Sequence, residues 1–239
     1  MISVIIPTYN EENYIGTLLE CLKNQTWKDF EIIVADANSK DKTKEIVKKY
    51  SSRIVKGGHQ AFGRNNGARY AKGEILVFMD ADLRFNNTFL DDCCQSFESQ
   101  KLDIACCYFD TSRMSLKMKL VYKLWNNGKY LRRKSKTPVG EGQCLWIKKS
   151  VFKSVGEFNE TMNMSEDVDL IHRVVNKKYS FGMLDYRFIP STRRYEQVGV
   201  IRVMLGSFMS GVLQLAGVIR KNKLSEYIYG GWGKYEKKK

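Results

Sequence analysis

Ile75-Leu76-Val77-Phe78-Met79-Asp80-Ala81-Asp82 is the stretch on which the fold turns. Five apolar residues, too few for a stable helix, read as a buried strand, and two carboxylates follow it on a tight turn. The same pattern recurs on both sides of it. Apolar runs at 3–6 and 30–35 end in Thr8-Tyr9 and Asp36, a weaker run lies at 53–55, and a fifth covers 103–109. Amphipathic stretches separate them. Asn10 is placed to cap a helix with Glu11 and Glu12 in its first turn and an apolar face of Ile15, Leu18, Leu19 and Leu22. A second helix follows Asp41 with Ile46, Val47 and Tyr50 turned inward, and others cover 61–72 and 87–99. Short strands alternating with helices predict βαβ units, hence an α/β fold on a mostly parallel central sheet flanked by helices.

The chain has 239 residues, enough for one such domain with a tail. Hydrophobic residues make up 43% and charged residues 28%, with 3 Pro, which excludes a disordered chain. Lys and Arg outnumber Asp and Glu by 40 to 26, so an anionic partner is expected, whether lipid headgroups, nucleic acid or a phosphorylated substrate. The six Cys include Cys93-Cys94 and Cys106-Cys107 but no CxxC pair, which fits a reduced, cytoplasmic setting. The apolar run at 2–6 has no basic leader before it, so no signal peptide is expected and the sequon Asn24-Gln25-Thr26 is idle. No repeat is present, and the only low-complexity stretch is the lysine-rich 234–239. His59 and His172 lack metal-ligand spacing.

Open α/β sheets bind ligands at the carboxyl ends of their strands. Thr8, Tyr9, Asp36, Arg64, Asp80 and Asp82 therefore converge on one edge. Two carboxylates at Asp80 and Asp82 suit one hard divalent cation, Mg²⁺ or Mn²⁺, with room left for phosphate oxygens. Alone, an Asp-x-Asp also suits a solvated helix-capping turn. The turn Pro7-Thr8-Tyr9-Asn10 has no glycine, which argues against a dinucleotide cradle, and no GxxxxGK[ST] motif occurs.

Four motifs in order, over about residues 1–196, resemble the family 2 glycosyltransferases with the GT-A fold. Val4-Ile5-Ile6-Pro7-Thr8-Tyr9-Asn10-Glu11-Glu12 is similar to that family's opening strand and loop. Glu31-Ile32-Ile33-Val34-Ala35-Asp36 resembles its second strand, whose aspartate meets the nucleotide base; relatives often carry two adjacent acids where Asp36 is followed by Ala37. Arg64-Asn65-Asn66-Gly67 through Asp80-Ala81-Asp82 resembles its third signature, ending in the DxD metal aspartates. Residues 142–152 and Val155-Gly156-Glu157-Phe158-Asn159-Glu160 lead into Glu166-Asp167-Val168-Asp169-Leu170, whose first aspartate is the family's catalytic base.

The resemblance implies an inverting, metal-dependent transfer of a sugar from a nucleotide diphosphate donor, UDP- or GDP-linked, to an acceptor hydroxyl. It implies Pro7, Thr8, Tyr9, Glu11, Asp36, Arg64, Asp80, Asp82, Arg193 and Arg194 as the nucleotide-sugar site, Asp80 and Asp82 as metal ligands, and Asp167, the base, with Glu166 as catalytic residues. Residues 1–110 would form the nucleotide-sugar half and 111–196 the acceptor half, with 197–239 a helical basic tail. Chemistry gives a separate reason for Asp167, since a sugar hydroxyl attacks poorly until its proton is taken. Glu166 and Asp167 are expected at the positive end of a helix over 167–176, which favours their ionised forms. Arg193-Arg194-Tyr195 suits phosphate oxygens.

Residues 113–136 mix nine Lys and Arg with Met114, Leu116, Met118, Leu120, Val121, Tyr122, Leu124 and Trp125. This predicts either a helix on an anionic membrane surface or a helix packed on the domain with a solvated basic face. The uncharged run 203–219 reads as interfacial, buried or, least well, spanning. Together these segments point to a lipid-linked or membrane-proximal glycan acceptor and to a peripheral place on the cytoplasmic face of a membrane. A polyprenyl or dolichyl phosphate acceptor is the sister reading, since it needs no base. A binder of nucleic acid or of sugar nucleotides without catalysis is the rival from another class. Nucleic acid is not expected as a partner, because acids crowd the strand ends and no nucleic-acid-binding signature occurs.

Overall fold

Residues that are apolar on both sides of a strand need a helix layer on each face, and the chain supplies both. The computed structural model describes residues 1–112, 114–162, 165–193, 195, 199–200, 202–203 and 205. In order, the elements are β1 (Ile2–Thr8), α1 (Ile15–Lys23), β2 (Phe30–Asp36), α2 (Thr43–Val47), β3 (Ser52–Lys56), α3 (Gln60–Tyr70), β4 (Ile75–Met79), α4 (Phe89–Ser99), β5 (Ile104–Phe109), α5 (Leu116–Arg132), β6 (Cys144–Lys148), α6 (Lys149–Ser154), α7 (Glu166–Asn176) and β7 (Phe181–Phe188). They form a seven-stranded sheet in the order β3-β2-β1-β4-β6-β5-β7. The expected mostly parallel α/β sheet is present, as are all five expected strands.

Alternate residues of the strands feed two cores. Val4, Ile6, Val77, Met79 and Trp146 pack with α1 and α4 on one face. Ile5, Ile33, Phe78, Leu145 and Ile147 pack with Phe152, Phe158 and Leu170 on the other. Phe78 meets Phe158 edge-on at 4.9 Å between ring centroids. Burial of this kind, on the order of 1.5–3 kcal/mol per large side chain, is what holds the sheet in place.

Two features of the sheet place the site. β1 pairs in parallel with β2 on one side and with β4 on the other, so the end of β1 lies between Asp36 and the end of β4, with Thr8 beside Asp36. β6, which the sequence reading did not anticipate, runs antiparallel between β4 and β5. Its first residue, Cys144, sits opposite Met79. The loop entering β6 is thereby delivered to the carboxyl end of β4. β7 was also unanticipated; Gly182, Asp185 and Arg187 interrupt its apolar pattern.

The expected capping of α1 by Asn10 does not occur. The helix starts at Ile15 with no acid in its first turn. Asn10 instead takes a left-handed conformation, φ 52°, and its side-chain oxygen accepts from the backbone N–H of Lys40 at 2.8 Å. The N–H groups of Glu11 and Glu12 donate to Thr43 and Asp41, at 2.7 and 3.0 Å. Residues 10–12 are pinned to the loop after β2, where loop-to-loop hydrogen bonds prevail over helix formation. α1 still buries Ile15, Leu18, Leu19 and Leu22 as expected. Among the described residues no helix is long and apolar enough to cross a membrane. Apart from Val203 and Leu205, the run 203–219 lies outside the described residues, as does most of the expected tail.

Asp103, just ahead of β5, ties β6 and β7 to it. Its carboxylate accepts from Lys148 at 2.9 Å and from the N–H and hydroxyl of Ser180 at 2.9 and 3.1 Å. Burial pushes the Asp103 carboxyl up, but the bonds from Lys148 and Ser180 outweigh it and leave the group below its ordinary value. A carboxyl depressed by folding contributes stability above the unfolded pKa, and that contribution is lost as pH falls through the folded one. Lys148 is 43% exposed, so solvent screens part of its contribution to stability. Asp103→Ala is expected to lower unfolding stability by about 1–3 kcal/mol at neutral pH. The difference should narrow as pH falls below the ordinary aspartate value of about 4, as measured by urea denaturation across that range.

Candidate active site

At the end of β1, Thr8 Oγ1 donates to Asp36 Oδ2 at 3.2 Å. Asp36 is buried and also accepts from Ser39, from the hydroxyl at 2.6 Å and from the backbone N–H at 3.0 Å. Pro7 is buried within β1, in register with Ala35, while Tyr9 is half-buried just beyond the strand. The expected nucleotide residues of the first two strands are thus neighbours.

The segment Arg64-Asn65-Asn66-Gly67 lies in α3, and each of its residues has a structural reason. Gly67 lets the helix close on β1, since a Cβ there would stand 2.5 Å from the side chain of Ile5. Asn65 exchanges hydrogen bonds with the backbone of Phe158, both at 2.9 Å. Asn66 donates to the Lys56 carbonyl at 2.8 Å. Arg64 is buried, and its guanidinium is directed at protein: Nη1 donates to Glu166 Oε1 at 2.6 Å, and Nη2 donates to Asp80 Oδ1 at 3.1 Å and to the Gly142 carbonyl at 3.2 Å. The sequence reading set Arg64 against the nucleotide; its fork instead joins the end of β4, the start of α7 and the loop before β6.

Glu166 is buried under that fork. Burial raises its carboxyl above the ordinary range, opposed by Arg64 and reinforced by Asp167 and Asp80. The expectation that a helix N-terminus would favour its ionised form is corrected by this desolvation, which acts in the opposite direction. α7 begins at Glu166 after the left-handed Ser165, φ 59°. Asp167 is half-buried. Its Oδ2 accepts from the Gly142 N–H at 2.5 Å and its Oδ1 from the Val168 N–H at 2.8 Å.

A second arginine holds the other half of the site. Arg193 makes a bidentate pair with Glu11, at 3.0 and 3.1 Å, and its Nη2 lies 3.4 Å from Asp82 Oδ2. The guanidinium stacks 4.6 Å from the centre of the Tyr14 ring. Burial raises the Glu11 carboxyl, Arg193 opposes that, and Asp82 and Asp80 add to it. Each aspartate at the end of β4 is therefore clasped by a different arginine. Arg194 lies outside the described residues.

Sequence reasoning placed Gly142 and Gln143 in a family motif without giving them a role, and it missed Glu141 and its anchor. The Gln143 carbonyl accepts from the Asp80 N–H at 3.0 Å. Gly142 bonds both Asp167 and Arg64, and a Cβ there would come within 2.9 Å of the Arg64 guanidinium. Glu141 is paired with Lys129, a fully buried lysine of α5 that also donates to the Cys107 carbonyl at 3.0 Å and lies 3.5 Å from the centre of the Phe109 ring. The signal was available: Lys129 shares the helical phase of Met118, Val121, Tyr122 and Trp125, which places it on the packed face despite the basic run around it.

In sum, Glu11, Asp80, Asp82, Glu141, Glu166 and Asp167 face three cations, Arg64, Arg193 and Lys129. Among the described residues no cluster of three or more His, Cys, Asp or Glu is arranged to hold a metal by itself. A hard divalent ion bound by two carboxylates, with phosphate and water oxygens completing its shell, fits this donor set and the excess of negative charge.

The model of the glycosyl transferase family 2 matches residues 3–156. The poly(ribitol-phosphate) β-N-acetylglucosaminyltransferase TarS of Staphylococcus aureus is 34% identical over 112 residues, 43% of this chain and 20% of that protein. The minor teichoic acid biosynthesis protein GgaB of Bacillus subtilis is 26% identical over 196 residues, 76% of this chain and 22% of that protein. The chain thus spans about a fifth of the length of these relatives. Among solved structures, the mannosyltransferase PcManGT of Pyrobaculum calidifontis, in complex with GDP-Man and Mn²⁺, superposes with a TM-score of 0.72 at 19% identity, over 94% of this chain and 66% of that one. TarS 1–349 in complex with UDP-GlcNAc superposes with a TM-score of 0.63 at 21% identity, over 79% of this chain and 58% of that one. These likenesses show the shared GT-A fold, and with more than half of its length matched by the family model, the chain belongs to glycosyl transferase family 2.

Proposed function

We propose that the chain transfers a sugar, with inversion, from a nucleoside diphosphate donor to a hydroxyl of a glycan or polyol-phosphate acceptor. The observation that carries this reading is the half-buried Asp167 carboxylate. It accepts only backbone N–H groups among the described residues and is linked through Gly142 and Arg64 to Asp80 at the end of β4. Glu166, closed off under Arg64, acts by anchoring that arginine, which leaves Asp167 to take the acceptor proton. As the acceptor oxygen bonds to the anomeric carbon, the bond from that carbon to the phosphate oxygen breaks. The bonding pair leaves with the nucleoside diphosphate, and the hydroxyl proton passes to Asp167.

Thr8, Tyr9 and Asp36 line the side of the crevice assigned to the nucleoside. Asp80 and Asp82 would hold Mg²⁺ or Mn²⁺, which when bound supplies Lewis-acid neutralisation of the departing diphosphate. Arg193, with Glu11 as its counter-ion, is placed to meet phosphate charge at the same end. The solved relatives bind GDP-Man and UDP-GlcNAc, which supports a UDP- or GDP-linked donor. Relatives named for poly(ribitol-phosphate) and teichoic acid support an acceptor that is itself a polyanion, in keeping with a net charge of +14. Free cysteines throughout suit the cytoplasm.

Asp167→Asn is expected to reduce nucleoside diphosphate release from UDP-GlcNAc or GDP-mannose, in the presence of acceptor, by about 10²- to 10⁴-fold. A rate close to wild type would assign the acceptor to the polyprenyl phosphate class, which needs no base. Asp82→Ala should abolish the Mn²⁺-dependent part of the thermal shift produced by those donors, because a ligand stabilises only the state that binds it. A full shift in that variant would remove Asp82 from the metal site. Arg64→Met leaves the Glu166 carboxylate buried without its partner and should cost about 3–5 kcal/mol in urea unfolding. Adding Glu166→Gln should recover part of that loss, and strict additivity of the two would refute the pairing.

A further inference from the structure

α5 has two faces of different character. Met118, Val121, Tyr122 and Lys129 point into the domain. Leu116, Leu120, Leu124 and Leu131 stand outward, 85%, 62%, 54% and 78% exposed. Spacings of four, four and seven put them on one ridge of the helix, about 22 Å long at 1.5 Å per residue. Of the eight large hydrophobic side chains exposed among the described residues, five belong to this one helix once Tyr130 is included. Scattered exposed leucines are ordinary, but a continuous row is not.

The charges beside the row select its partner. Lys117, Lys123, Arg132 and Lys134 are exposed along it, and residues 111–140 contain no Asp or Glu. From this we propose that the outer face of α5 lies in the interface of a bilayer containing anionic phospholipid, with the leucines among the acyl chains and the flanking cations at the headgroups. A second copy of the chain would bring the same cations against each other across a two-fold axis, which disfavours self-association through this face. A nucleic acid would satisfy the lysines and leave the leucines in water. The inference stands on the geometry of α5 and not on the reaction proposed above. It places the acceptor-side half of the domain against the membrane, with α5 parallel to its surface.

The test is flotation of the full chain with vesicles of phosphatidylcholine alone or mixed with phosphatidylglycerol, the melting temperature of every variant being checked in parallel. Wild type should float with the mixed vesicles and not with the neutral ones. Leu120→Glu/Leu124→Glu should weaken that binding by roughly tenfold or more, and Lys117→Ser/Lys123→Ser should weaken it while making the remainder less sensitive to salt. Both pairs lie on the exposed face, so melting should be unchanged; if the glutamates lower it, Leu116→Gln/Leu131→Gln takes their place with the same expected loss. Undiminished flotation of the folded leucine variants overturns the proposal, because binding would then come from elsewhere in the chain. It is equally overturned by equal binding to neutral vesicles, or by a wild-type dimer in light scattering that the leucine variants dissolve.

Discussion

The guanidinium of Arg64 holds together three segments that lie as far as 102 residues from it in sequence: the end of β4 through Asp80, the loop before β6 through Gly142, and the start of α7 through Glu166. Its placement is expensive, because an arginine and a glutamate are both taken out of water. Such a pair adds little net stability compared with apolar packing. What it provides is geometry, since a planar fork with fixed donors accepts only one arrangement of its three partners. Lysine, a point charge on a flexible stem, would not impose the same arrangement. The nearby Phe158 ring, 5.4 Å from the guanidinium carbon, closes the space around it.

The antiparallel course of β6 makes this convergence possible. A parallel strand beside β4 would send its entering loop to the opposite edge of the sheet, away from the ligand crevice. Because β6 is reversed, its entry loop meets the exit of β4, and the Asp80 N–H bonds the Gln143 carbonyl directly. Arg193 then reaches Asp82 and Glu11 from beyond β7. The two aspartates are therefore oriented before any ligand arrives, and preorganised charge of this kind spares reorganisation during reaction. The arginines offset only part of the local negative charge, which the proposed divalent cation would further neutralise.

What could be read from the sequence was whatever depends on local pattern. The strands of the first half are short, apolar and bounded by polar residues, so β1 through β5 were legible, and with them the edge to which Thr8, Asp36, Asp80 and Asp82 belong. β6 offers five residues of similar pattern, but its direction depends on which strand it pairs with, and pairing is a long-range property. Asn10 was misread because a capping residue and a loop anchor have the same side-chain chemistry; only the approach of the Lys40 N–H distinguishes them. Arg64 was expected at this edge of the sheet, but the atoms it touches come from residues 80, 142 and 166, which no local window contains. Lys129 was submerged in a basic run, where charge suggested a surface and only helical phase pointed inward.

Lys129 also explains how the two faces of α5 relate to the chemistry. A lysine fully removed from solvent needs a counter-charge and a carbonyl, and it finds them in Glu141 and Cys107. Glu141 immediately precedes Gly142, whose N–H bonds Asp167 and whose carbonyl accepts from Arg64. A displacement of α5 relative to the sheet would thus be felt at the residue assigned to deprotonate the acceptor, through one ion pair, the peptide link to Gly142 and one hydrogen bond. The leucine row lies on the other side of the same helix, at positions between and around those that pack. An acceptor tethered to a membrane would be met by the part of the domain whose backbone is fastened to the catalytic loop, so positioning at the surface and alignment of Asp167 share a single structural element.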